Sequence, residues 1–328
     1  MTEIPATVEP ASGEAPTPRR RGVLSWLLVL LGVAGVIVVA WVCLTAWGGV
    51  VHGHPAYAVL LGVTAVASVL TVVAGVRGRR RGAWRATVTI IAIVLGAGWL
   101  AATAWMRPHT AVEPALAAMA SDARVTVAES ATEIVMTPAD ADTTAVFFQP
   151  GAFVDARAYA AVLRPLAEAG HPVIIAKQPL GIAFLALGAF DEARSRLPEA
   201  TGWVVAGHSL GGTVAAIEAD GADAASTAPA VGLMFFASYP ASDLSGSLTT
   251  AVLSVSGSND GLSTPAKIDA SHADLPADAQ FVQIAGASHA QFGSYGAQAG
   301  DGTPTISDDE ARAQISAAAR DFVDALAG

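Results

Sequence analysis

Three long uncharged runs near the start of the chain, Leu24 to Trp47, Ala56 to Val76 and Ala86 to Trp105, constrain its architecture more than anything that follows. Each is about 20 residues or slightly more, enough for an α-helix to cross the roughly 30 Å hydrocarbon core of a bilayer. A helix satisfies every peptide group of such a run without water, so three transmembrane helices are predicted. A cleaved leader fits the first run less well, because the run is too long and two comparable ones come after it. The chain has 53% hydrophobic residues, and the apolar excess is concentrated in these runs.

Charge orients them. Arg19, Arg20 and Arg21 precede the first run, and Arg77, Arg79, Arg80, Arg81 and Arg85 fill the link between the second and third, whereas the link Gly48 to Pro55 has no basic Arg or Lys. Such residues stay on the cytoplasmic side. The expectation is a multi-pass protein of the cell membrane with a cytoplasmic N-terminus and an extracytoplasmic segment after Trp105. The Arg-rich link is read as fixing this topology, with contact to anionic head groups as the alternative. Residues 1–18, rich in Pro, Ala, Thr and Glu, read as a disordered cytoplasmic tail, residues 19–106 as the anchor and residues 107–328 as a folded domain. That domain holds 10 of the 18 Lys and Arg but 25 of the 28 Asp and Glu, a formal charge of −15, so nucleic acid is not an expected partner. The sole cysteine, Cys43, lies in the first run, so the domain must hold together without disulfides, which its size allows. His52 and His54 lack nearby carboxylate or thiol partners and read as loop residues, not metal ligands.

From Val125 onward short apolar runs alternate with amphipathic stretches. This pattern predicts a mostly parallel sheet with helices on both faces. Strands are expected at Val125 to Ala128, Glu133 to Met136, Ala145 to Gln149, Val173 to Lys177, Trp203 to Ala206, Val231 to Phe236, Val252 to Ser256 and Phe281 to Ile284. Helices are expected at Ala158 to Ala169, Leu180 to Arg196, Leu210 to Asp220, Pro265 to Ala273 and Asp308 to Leu326. Continuously apolar strands such as VVAG and LMFFA imply burial on both faces.

The chemistry concentrates at Gly207-His208-Ser209-Leu210-Gly211. The pattern alone is weak in a chain with 32 glycines, but an apolar strand enters it and a helical stretch leaves it, so Ser209 falls on a tight strand-to-helix turn. The helix N-terminus there favours developing negative charge. A serine hydroxyl needs an imidazole as base, and the imidazole needs a carboxylate to hold its tautomer. Asp260, after the seventh strand, and His289, after the eighth, supply them in the order Ser, acid, His. Asp243 is the alternative acid, and a turn-forming role for Asp260 beside Gly261 is the other reading of that residue. His272 is the rival base but lies on the wrong side of the last strand, and His208 reads as a packing or hydrogen-bonding residue. For an oxyanion, the backbone amide of Leu210 is one expected donor and that of Ala152 the other, with Phe153 next; Gly151 lets the backbone approach a substrate.

These residues resemble the α/β-hydrolase superfamily, in particular small bacterial serine hydrolases of the "alpha/beta hydrolase family", here preceded by transmembrane helices. The likeness rests on the block FFQPGAFVDARAYAAVLRPLAEAGHPVIIAKQPLGIAF, on WVVAGHSLGG, on LSVSGSNDGL and on GASHAQFGSYGAQAGDGTPTIS, and spans nearly all of residues 125–326. It implies an α/β-hydrolase fold with an eight-stranded sheet, Ser209, Asp260 and His289 in the catalytic positions, and no metal or organic cofactor. The chain departs from the pattern at Gln149 and Ala152, where related sequences tend to show an aromatic residue and a second glycine. Lys177 and Gln178 either face the site or form a solvated strand end. No long insertion separates the sixth and seventh strands, so an open site is expected, with cover from Leu180 to Phe190 or from Gly293 to Gly302. Phe184 and Phe190 are assigned to core packing, with an acyl pocket as the alternative. The function expected is hydrolysis of a carboxylic ester or related acyl compound, small or lipid, with an acyltransferase or a catalytically silent binding module as alternatives. The apolar helices contain no charged residue that would form a transport path.

Overall fold

A computed structural model describes residues 22–78 and 82–327. The expected tail and Arg19, Arg20, Arg21, Arg79, Arg80 and Arg81 lie outside them. Three helices, α1 (Val23–Thr45), α3 (Pro55–Val76) and α4 (Ala83–Trp105), are long and apolar enough to cross a membrane. The link between α1 and α3 is not the plain loop expected: it holds the short helix α2 (Trp47–His52). Small residues let the long helices approach. A Cβ on Gly32 would lie 2.6 Å from the Ser68 carbonyl oxygen, and one on Gly75 2.7 Å from that of Ser25, so α1 and α3 touch backbone to backbone, the close approach that small residues permit. Trp99 Nε1 donates to Thr64 Oγ1 at 2.9 Å and ties α4 to the pair.

After α4 the chain builds β1 (Val125–Glu129), β2 (Glu133–Pro138), β3 (Thr144–Gln149), α5 (Ala160–Glu168), β4 (Val173–Ala176), α6 (Ala189–Arg196), β5 (Gly202–His208), α7 (Leu210–Ala222), β6 (Ala230–Phe236), β7 (Ala251–Gly257), α8 (Pro265–Ser271), β8 (Gln280–Ile284) and α9 (Asp308–Leu326). The eight strands form one sheet in the order β1-β2-β4-β3-β5-β6-β7-β8. β1, β2 and β4 pair antiparallel, and every pairing from β4 through β3 to β8 is parallel. This is the α/β-hydrolase fold with three long apolar helices in front of it.

The strand period of two divides the core. Phe148, Val204 and Ala206 point to one face, with Val162, Leu163 and Leu166 of α5 and Ile315 and Phe322 of α9. Phe147, Trp203 and Val205 point to the other, with Phe190 and Ala193 of α6 and Ala215, Ala216 and Ala219 of α7. The N-terminus of α9 is capped by Ser307, whose hydroxyl accepts from the Glu310 amide, and Asp308, Asp309 and Glu310 sit in its first turn, where side-chain acceptors and negative charge stabilise a helix.

One expected helix is largely missing. Leu180 to Arg196 is helical only from Ala189; before that come two short 3₁₀ turns, Pro179–Gly181 and Ala183–Ala186. Leu180 has a φ of +56°, a conformation that ends helices, and Gly188 caps α6. Lys177 lies just beyond β4.

Phe147 is buried against Phe190, ring centroids 5.3 Å apart. Phe147→Ala should therefore lower stability by about 3–5 kcal/mol, read as an earlier midpoint in chemical denaturation; an unchanged midpoint would contradict the packing described.

Candidate active site

Ser209 sits between β5 and α7 with φ +51° and ψ −124°, a backbone conformation costly for a residue with a side chain. Its surroundings hold it there. The Ser209 amide donates to the Phe236 carbonyl at 3.0 Å, and Ser238 Oγ donates to the Ser209 carbonyl at 2.6 Å. A Cβ on Gly211 would strike the carbonyl oxygens of Gln149 and Pro150, and one on Gly207 would strike the backbone of Gly211 and Gly212. The glycines are thus required by close packing of strand, turn and helix. Ser209 itself is half-buried.

The loops after β7 and β8 meet at the same sheet edge. His289 Nδ1 lies 2.8 Å from Asp260 Oδ2, with both side chains fully withdrawn from water. Asp260 Oδ1 accepts the amides of Leu262 and Ser263, each at 2.7 Å, so the carboxylate is satisfied on both oxygens. A proton on His289 Nδ1 directed at Asp260 leaves Nε2 as the basic nitrogen. Among the described residues Nε2 has no hydrogen-bond partner. Its ring lies 4.5 Å, centroid to centroid, from that of His208, the residue before Ser209.

His208 plays the structural part expected of it. Its Nδ1 lies 2.8 Å from Tyr159 Oη, which in turn accepts the Gly151 amide at 2.9 Å. Burial, aided by the neighbouring His289, holds the His208 ring well below the ordinary imidazole range. It is therefore neutral, accepts from the tyrosine hydroxyl, and adds no positive charge beside His289.

The turn after β3 presents one free amide. Gly151 donates to Tyr159, and Phe153 donates to the Gly181 carbonyl at 2.8 Å. Phe153, the second choice from the sequence, is therefore engaged. Among the described residues the amides of Ala152 and Leu210 have no acceptor. Asp243, the alternative acid, is exposed and accepts from the amide and hydroxyl of Ser245. His272 stacks on Phe281 at 3.5 Å. Neither is among the contacts of His289 or Asp260.

The sequence pattern of the "Alpha/beta hydrolase family" matches residues 145–313, slightly more than half of the chain. The chain belongs to that family. Among solved structures the hydrolase is similar to Est1E from Butyrivibrio proteoclasticus, with 14% identity over 62% of this chain and 99% of that one, at a TM-score of 0.45. It is also similar to a Paleococcus ferrophilus monoacylglycerol lipase, with 13% identity over 59% of this chain and 98% of that one, TM-score 0.45. A third is a thermostable esterase from Pseudomonas putida ECU1011, with 16% identity over 65% and 87% and a TM-score of 0.46. No curated protein matches the chain.

Several residues that support this hydrolase's site have no local motif. Asp301, in the loop after His289, accepts the amides of His289 at 3.0 Å, Ala290 at 2.9 Å and Gly261 at 3.1 Å, and so joins the histidine loop to the aspartate loop. Burial alone would raise its carboxyl, but the Ala290, Gly261 and His289 amides hold it below its ordinary value. The apolar helices also reach the site. Trp105, at the end of α4, packs edge-on against Phe153 at 4.9 Å, and the backbone of His109 bonds on both sides of Val154. Asp155 and Arg157 form a buried pair 2.6 Å apart, and the Arg157 guanidinium lies against Gly48 of α2.

Lys177 and Gln178 are buried, so neither forms a solvated strand end. Lys177 Nζ donates to Glu129 Oε1 at 2.8 Å and to the Ser130 carbonyl at 2.6 Å, and Glu129 also meets His52 of α2 at 3.2 Å. Gln178 Nε2 donates to Gln149 Oε1 at 2.9 Å and to the Pro150 carbonyl at 2.8 Å, and Gln149 Nε2 donates to Glu218 Oε1 of α7 at 3.0 Å. The unusual Gln149 thus heads a polar chain beneath the turn that carries Ala152.

Burial pushes the Glu218 carboxyl up from 4.5 to about 8, against the opposing bond from Gln149. A raised folded pKa means the native state retains a proton that the unfolded chain releases. The associated stability is fully present below about pH 4.5 and is lost as pH rises through about 8. Thermal unfolding should accordingly occur at lower temperature at about pH 9 than at about pH 6, and Glu218→Gln, which cannot ionise, should flatten that decline. Equal pH slopes for the two proteins would refute it.

Proposed function

We propose that this chain is a serine hydrolase of carboxylic esters, tethered to a bilayer by α1, α3 and α4, with Ser209 as nucleophile. The supporting observation is the conjunction of a strained serine on a strand-to-helix turn with a buried imidazole whose Nδ1 is held by Asp260 and whose Nε2 is free. In this reading Ser209 Oγ attacks the acyl carbonyl carbon while His289 Nε2 takes its proton. The Oγ–Nε2 hydrogen bond is not formed in the free protein; catalytic bonds commonly tighten only when substrate is bound. The carbonyl oxygen becomes an anion that the Leu210 and Ala152 amides stabilise. The C–O bond to the leaving alcohol then breaks, His289 returns its proton to that alcohol, and an acyl-enzyme remains on Ser209. Water, deprotonated by the same imidazole, hydrolyses it and restores the serine. Asp260, held to Nδ1, orients the ring and steadies the imidazolium.

Three crossings put residues 107–328 on the face of the bilayer opposite the N-terminus. Arg77, just after α3, and Arg85, in the first turn of α4, support a cytoplasmic position for the α3–α4 link and an extracytoplasmic one for the hydrolase fold.

Ser209→Ala should abolish labelling by a fluorophosphonate probe and lower ester turnover by several orders of magnitude. Retained turnover would refute the assignment. Tyr159→Phe removes the acceptor of the Gly151 amide and the donor to His208 without touching the reacting groups. It should lower kcat about tenfold with KM little changed; a change in KM alone would mean that Tyr159 does not position the turn.

A further inference from the structure

The run Pro179 to Phe190, PLGIAFLALGAF, carries no charged residue. Phe190 belongs to the core, but Phe184, Leu185 and Leu187 are 43%, 54% and 44% exposed. A cluster of apolar side chains left in the open on one short segment marks a contact surface.

Its position says what it contacts. Leu180 packs on the cluster formed by Val42 of α1, Ala46 between α1 and α2, Val50 of α2, and Tyr57 and Leu61 of α3. Leu185 lines a cavity together with His54, the residue that caps the N-terminus of α3. The segment is thus continuous with the end of the apolar helix bundle on the hydrolase side. Exposed Trp47 and Trp105 stand at that same end, while Trp26 and Trp84 stand at the other. Tryptophan at both ends of spanning helices marks the two membrane–water interfaces, so the segment lies at interfacial height. It also reaches the candidate site, since the Gly181 carbonyl accepts the amide of Phe153, next to Ala152.

We infer that Pro179 to Phe190 is an interfacial insertion that seats Phe184, Leu185 and Leu187 in the outer leaflet and opens the site toward lipid, so that the substrate is a long-chain ester dissolved in the bilayer. This rests on the hydrolase reading above for the substrate and on the spanning helices for the insertion. The apolar side chains bury against acyl chains, as those of an interfacial helix do, and a lipid ester diffusing in the leaflet meets the turn that carries the Ala152 amide without crossing water.

The test uses the full chain in phosphatidylcholine nanodiscs. In a Cys43→Ser background, Leu185→Cys or, as a control on the opposite edge of the sheet, Thr201→Cys is labelled with an environment-sensitive fluorophore. A phosphatidylcholine carrying a spin label high on its acyl chain should quench the probe at position 185 at least about twofold, while iodide in the water should quench only the probe at 201. Equal iodide quenching at both positions would overturn the insertion. So would protection of position 185 from both quenchers, which would point to a second protein chain on the patch. A second arm uses Leu185→Ser with Leu187→Ser. This variant should hydrolyse p-nitrophenyl acetate at the native rate and a long-chain ester in the nanodisc at least about fivefold more slowly. Native rates on both would overturn the lipid substrate. Should the native protein hydrolyse no ester at all, the hydrolase reading fails while the quenching result still decides the insertion.

Discussion

A single hydrogen bond out of water, His289 Nδ1 to Asp260 Oδ2 at 2.8 Å, sets the terms for the rest of the site. A carboxylate withdrawn from solvent is tolerable only where its lone pairs are used, and the Leu262 and Ser263 amides take the remaining ones. The bond also requires loops from two different strands to keep a fixed separation. Asp301 provides this by gripping amides from both loops, and the parallel pairing of β7 with β8 delivers both loops to one edge. The β5–α7 turn brings Ser209 to that same edge, and the ring of its neighbour His208 lies beside that of His289.

The long apolar helices do more than precede this sheet. Trp105 touches Phe153, His109 pairs with the backbone around Val154, Arg157 lies on Gly48, and the Lys177–Glu129–His52 chain fastens the strand ends to α2. These contacts fall on the turn after β3, which carries the Ala152 amide, and on the segment after β4, which bonds to that turn through Gln178. Apolar helices and the sheet edge that carries Ser209, Asp260 and His289 are therefore one packed structure, and loosening the former would be felt at the latter.

Much of this was legible from residue order. Each of the eight strands was placed within two residues at either end, because a strand buried on both faces reads as a short apolar run between polar or glycine-rich stretches. Ser209, Asp260 and His289 stood out because each follows such a run at a turn. What stayed hidden were the partners that act across distance. Tyr159 meets His208 from 49 residues away and Gln149 meets Glu218 from 69. Asp301 looked like one more polar residue in a glycine-rich loop, and the stretch from Leu180 to Arg196 read as one helix, although Pro179, Gly181 and the left-handed Leu180 break its start into turns.

Sequence by itself determined the three helices long and apolar enough to span a bilayer, the alternation of strands and helices, and the strained serine turn, since these follow from local burial, periodicity and sterics. Tertiary structure alone decided that Ala152 and not Phe153 keeps a free amide, that Asp260 and not Asp243 holds the histidine, and that the helix bundle grips the turn after β3. Those outcomes depend on which distant backbone groups claim each donor and acceptor first, and only the folded chain brings the claimants together.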